Sequence, residues 1–173
     1  MIQLTDILLY ILPAAITGLV AYYFFAQFVK NEQLKRRFLL QREAQKHTFP
    51  IRLQAYERMA LFLERTDPVK LLLRVVPSRS MNTAEYEALL IRSIEEEYDH
   101  NLSQQIYMSD QCWSIIKTAK NSTIQLIRKA SMTAQPDSPE KLREVILSEM
   151  MDKTSPSATA LQFIRKEVRD FMN

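Results

Sequence analysis

Glu97 and His100 come closest, among the 173 residues of this chain, to a reactive pair. Residues three apart on a helix share a face. Glu-x-x-His is the arrangement by which helices of a di-iron bundle present a carboxylate and an imidazole to one metal centre. Such a centre needs a second copy of the motif and a further Glu from each of two other helices. His47 is the only other histidine, and Glu43 stands four residues before it rather than three. A homodimer would have to supply the rest. The pair therefore reads first as a solvated acidic helix end with a polar cap. A metal-binding or enzymatic bundle built on Glu97 and His100 is the alternative. No cofactor, metal or catalytic residue is expected.

Two further groups of residues have chemical potential. Cys112, the one cysteine, excludes an intramolecular disulfide and a zinc site made of Cys pairs. Beside Trp113 it reads as a buried small hydrophobe rather than a reactive thiol. Arg52, Arg58, Arg65 and Arg74 could fork onto phosphate or carboxylate groups. The plainer reading pairs them with Glu57, Glu64 and their neighbours on helix surfaces.

Gly18 is the only glycine. A glycine-free chain beyond it cannot hold a Walker loop, a dinucleotide fingerprint or a nucleophile elbow. HExxH is also missing, so the sequence points away from an enzyme. Hairpins and barrel corners lean on glycine for positive φ, so the same scarcity predicts an all-α fold.

The elements that must position these residues follow from caps and periodicity. Thr48 and Pro50 signal a helix start, and Leu53, Tyr56, Ala60 and Leu63 form its inner face. Asp67-Pro68 ends it. Residues 69–76 are apolar but too short to assign to helix or strand. Asn82 or Thr83 caps a helix whose inner face is Tyr86, Leu89, Leu90, Ile94 and Tyr98; it loosens or continues at Asp99-His100-Asn101. Trp113, Ile116, Thr123, Ile127 and Ala130 mark a long helix ending near Thr133. Gln135–Ser138 is a linker. Ser138-Pro139 and Ser155-Pro156 open the last two helices, since Pro is pre-organised at a first helical position.

Charge patterning suggests where the chain works. Residues 7–29 carry no charge, and Lys30, Lys35, Arg36, Arg37, Arg42 and Lys46 follow. A run of this length predicts a transmembrane helix over 7–29. The basic flank would lie at the inner membrane surface in contact with lipid, with residues 1–6 outside. Residues 30–47 read as a helical stalk and 48–173 as a cytoplasmic helical domain. Ala14 and Gly18 are a small-xxx-small pair suited to helix–helix contact. Six of the 23 Lys and Arg lie in 30–46, against two acidic residues there. Residues 47–173 are balanced, with 17 basic and 17 acidic side chains, so no nucleic acid partner is expected.

Three stretches carry a resemblance: RLQAYERMALFLERTDP (52–68), EEYDHNLSQQIYMSDQCW (96–113) and SATALQFIRKEVRDF (157–171). With the N-terminal LTDILLYILPA they resemble a family of small single-span bacterial membrane proteins classed as a domain of unknown function. The resemblance covers nearly the whole chain. It implies an N-terminal anchor and a helical cytoplasmic domain, and no activity. It also implies that Tyr56, Glu57, Arg58, Tyr98, His100, Asn101 and Gln104 belong to the family's recurring text, as candidates for packing or for an interaction surface. The functional expectation is a non-enzymatic interaction module in a bacterial inner-membrane complex: a scaffold, adaptor or accessory subunit. A self-oligomerising membrane organiser is the second alternative.

Overall fold

The structure, a computed structural model, describes residues 4–134, 138–151 and 153–172. Regular structure among them is entirely helical: α1 (Leu4–Thr66), α2 (Pro68–Arg74), α3 (Thr83–His100), a 3-10 helix (Leu102–Tyr107), α4 (Asp110–Ala134), α5 (Pro139–Met151) and α6 (Pro156–Met172). Residues 135–137 of the expected linker lie outside the described residues, as do the side chains of Ala14, Lys46 and His47. The chain divides into two compact units, Met1–Phe49 and Pro50–Asn173.

The first unit holds the N-terminal part of α1. Its described apolar side chains between residues 12 and 40 are not covered by the chain. Leu19, Tyr22, Phe24 and Phe25 each expose about 70% of their surface, and Ile16, Phe28, Leu34, Phe38 and Leu40 more than half. A Cβ built on Gly18 would meet nothing within 4 Å. Lys30, Lys35, Arg36, Arg37 and Arg42 are exposed as well.

Among the described residues, no helix is long and apolar enough to cross a membrane. The expected transmembrane helix over 7–29 is thereby corrected. With it go the single-pass topology, the outward N-terminus, the cytoplasmic assignment of 30–173 and the placement in a bacterial inner membrane. The uncharged run is not a helix of its own but part of the 63-residue α1, which continues without a break into the basic stretch. The lipid contact expected of Lys30 to Arg42 took that anchor as its premise and is not carried further.

The second unit has two apolar clusters strung along α4. The first gathers Tyr56, Met59, Phe62 and Leu63 from α1, Tyr98 from α3, Cys112, Ile116 and Ala119 from α4, and Ala160 and Ile164 from α6. The second gathers Leu71 and Leu72 from α2, Tyr86, Leu90 and Ile94 from α3, Ile124, Ile127 and Ala130 from α4, and Leu142 and Ile146 from α5. The 3–4 spacing along α3 and α4 makes this division: each helix gives one end of its apolar stripe to each cluster.

Capping fixes the element ends. Residues 69–76 are settled as helix up to Arg74, because Pro68 fits the first position and Asp67 accepts from the Val69 amide at 3.2 Å. Asn82 and Glu85 form a reciprocal capping box, each side chain accepting from the other's backbone amide at 2.9 Å. Ser109, Ser138 and Ser155 cap α4, α5 and α6 by accepting from amides three residues on.

Candidate binding cleft

A stripe on the outer side of α1 faces the end of α3. Ile51, Gln54, Arg58, Leu61 and Arg65 recur at 3–4 residue spacing, so they share one helix face. Opposite them α3 ends at His100, and the chain tightens into the 3-10 helix. Asn101 makes that change of path. Its side-chain amide donates to the Glu97 carbonyl at 2.8 Å, its backbone amide to Tyr98, and its own carbonyl accepts from Gln104 at 3.0 Å. Asn101 is itself buried. Arg52 ties α1 to the far end of the 3-10 helix, its Nε donating to the Tyr107 carbonyl at 3.2 Å.

The result is a polar cleft of two adjoining depressions sharing Gln54, Arg58 and His100. One is also lined by Glu57, Leu61, Glu97 and Asn101. The other is also lined by Ile51, Ser103, Gln104, Ile106 and Tyr107. Of the seven residues implied by the resemblance, five meet here: Glu57, Arg58, His100, Asn101 and Gln104. Tyr56 and Tyr98 do not. They are buried in the first apolar cluster.

The reactive-pair reading of Glu97 and His100 meets a specific obstacle. Arg65 Nε donates to Glu97 Oε2 at 3.0 Å, so that carboxylate already has a cation. Among the described residues no group of three His, Cys, Asp or Glu side chains is placed to hold a metal ion. Arg58 differs from Arg65: no described carboxylate lies within ion-pair distance of it. The plain ion-pairing expected of the arginines thus describes Arg65, whose partner lies on α3 rather than on its own helix, and not Arg58.

Between α1 and α6 lies a small buried polar network. Tyr56 Oη donates to Glu167 Oε1 at 2.7 Å. The Glu167 Oε2 atom is buried with no hydrogen-bond partner among the described residues. Burial, then the Glu167 carboxylate, pushes the Tyr56 hydroxyl up to about 12. The same two causes push the Cys112 thiol up to about 12. A fully buried thiol at that value is no nucleophile near neutrality. Next to it, Tyr98 stacks on Trp113 with ring centroids 5.4 Å apart, while Lys120 stands 4.6 Å over the Tyr98 ring and pairs with Glu95 at 2.7 Å. Tyr56 and Tyr98 thus serve packing, while the other five residues line the cleft.

Sequence reasoning missed Ile51, Gln54, Ser103, Ile106 and Tyr107. A signal for three α1 positions was present in the 51, 54, 58 spacing, which is hidden when only the apolar face of a helix is traced. The 3-10 path that brings in Ser103, Ile106 and Tyr107 has no such period.

No curated protein and no solved structure matches this chain. A family profile does match, over residues 2–171, and carries no assigned activity. With nearly every residue inside that match, the chain belongs to the family described as "Family of unknown function (DUF7935)".

Proposed function

We propose that this protein is a non-enzymatic interaction module: a scaffold, adaptor or accessory subunit whose first unit is covered by a protein partner. The observation that carries this reading is the exposure of the described part of that unit. Leu12, Ile16, Leu19, Val20, Phe24, Phe25, Phe28, Leu34, Phe38, Leu39 and Leu40 all stand at least half exposed on one helical segment. Isolated proteins in water seldom leave contiguous apolar patches of that extent bare, and such patches mark interaction sites. The absence of catalytic grammar in the sequence supports the same reading.

The test is partner release. Phe24, Phe25 and Phe28 are replaced together by Ser in the full chain, and complexes are isolated from cells after crosslinking. The expected result is a discrete protein complex with the parent chain that the triple variant loses, while the second unit keeps its helical signal. Complexes that survive the triple substitution unchanged, or no complex with either chain, contradict the proposal. A complex holding only copies of this chain specifies the partner as self, with Gly18 the first position to probe.

A further inference from the structure

We infer that the acid-free half of the cleft binds a peptide carboxylate carried next to an apolar side chain. This concerns a different surface from the first unit and stands or falls without the partner assigned there.

Three observations carry it. Arg58 is exposed, and no described carboxylate pairs with it, although Arg65, seven residues on, has Glu97 at 3.0 Å. A guanidinium fork matches the two oxygens of a carboxylate, and such charge-assisted bonds are among the stronger ones available. The second observation is the surroundings of Arg58 in this depression. It is flanked by the Gln54 and Gln104 amides, the Ser103 hydroxyl and the His100 imidazole, with no Asp or Glu in the lining. Each of these can donate a hydrogen bond. The third is the apolar rim: Ile51 is 47% exposed and Ile106 73%. Cation and donors at the centre with apolar side chains at the edge complement a carboxylate beside a hydrophobic group.

The same features favour carboxylate over phosphate. Phosphate-reading sites gather several arginines around a doubly charged group. Here one guanidinium faces the depression, which matches a single negative charge. The volume, about 530 Å³ and open to solvent, takes one or two residues of a peptide. The carboxylate can be a chain terminus or an Asp or Glu side chain, and the experiment separates these.

The test is side-chain NMR on the full chain, following Arg58 Nε–H and the Gln54 and Gln104 amides. The probes are N-acetyl-leucine, which has a free carboxylate beside an isobutyl group; its amide; N-acetyl-leucyl-aspartic acid α-amide, whose only acid is a side chain; and inorganic phosphate. The expected result is a saturable shift at all three residues with N-acetyl-leucine, about tenfold weaker or lost with its amide. A terminal-carboxylate site binds N-acetyl-leucine the more tightly, and a side-chain site binds the aspartic α-amide so; either outcome supports the inference. Arg58→Gln should weaken the binding at least about tenfold while leaving Trp113 fluorescence and thermal unfolding unchanged. Arg58→Lys, which keeps the charge and loses the fork, should bind less tightly than the parent. No saturable shift with either acid, equal shifts with the simple amide, tighter binding of phosphate, or full binding by Arg58→Gln would each overturn the inference.

Discussion

The two units of this chain treat their apolar side chains in opposite ways. From Pro50 onward many of them point into two clusters, and Met59, Phe62, Leu63, Tyr86, Leu90, Ile94, Ile116, Leu142 and Ile146 are almost completely removed from water. In the first unit, Leu19, Phe24, Phe25 and Phe38 are as large and stand open. Composition alone does not separate these regions, since both are helical and rich in Leu, Ile and Phe. The difference lies in whether other helices of the chain are there to receive the side chains. The second unit has its own core and the means to fold on it. The first unit's apolar surface is available for something else.

That contrast can be broken by substitutions matched across the two units. The largest effect belongs to Leu90→Ala. It empties a fully buried site and should cost about 2–5 kcal/mol, read by urea unfolding with Trp113 as probe. Phe24→Ala removes more apolar surface, yet should change the same transition by no more than about 0.5 kcal/mol. Equal losses from the two would erase the distinction between the units. Tyr56→Phe comes next, at about 1–3 kcal/mol, because it strips Glu167 Oε1 of its donor beside an Oε2 that already lacks one. Thr123→Val has the opposite sign. The Thr123 hydroxyl is buried with no partner among the described residues, so a shape-matched methyl should raise stability by about 1 kcal/mol.

The smallest effect is a pH limb. In the folded state Tyr56 and Cys112 hold their protons to about 12, whereas ordinary values are 10.0 and 9.0. Between those values the unfolded chain has released protons that the folded chain keeps, so raising the pH favours unfolding. The stability in question is complete below about pH 9 and declines as pH rises toward 12. Cys112→Ala should flatten the lower part of that decline; an unchanged slope would deny the thiol its burial beside Glu167.

Much of the second unit was legible from residues in a row. Asp67-Pro68, Asn82 or Thr83, Ser138-Pro139 and Ser155-Pro156 announce helix ends because capping is local chemistry. The stripe from Tyr86 to Tyr98 announces a buried face because its period is that of the helix. The cleft was legible only in part. Arg58, Glu57, His100, Asn101 and Gln104 came from a resemblance, and nothing in their spacing says that two separate segments meet around them. Gln54 and Tyr107 were silent for the same reason: fifty residues of chain separate partners that the tertiary fold brings together. The reading of 7–29 as a span rested on its length and flanking charge alone, and the helix it belongs to runs on through a basic stretch to Thr66. The orphaned Glu167 oxygen could not be read at all, since it depends on how α6 sits against α1.

The central claim is that a protein partner covers the first unit, whereas an isolated exposed apolar side chain such as Met132 in the second unit stays bare. A photoreactive amino acid placed at Phe24, and separately at Met132, tests it inside cells. Both positions are well exposed within the chain, at 70% and 79%. The account predicts a discrete protein adduct from position 24 and none from position 132. Equal labelling from both positions, or capture of lipid but no protein at position 24, would contradict it.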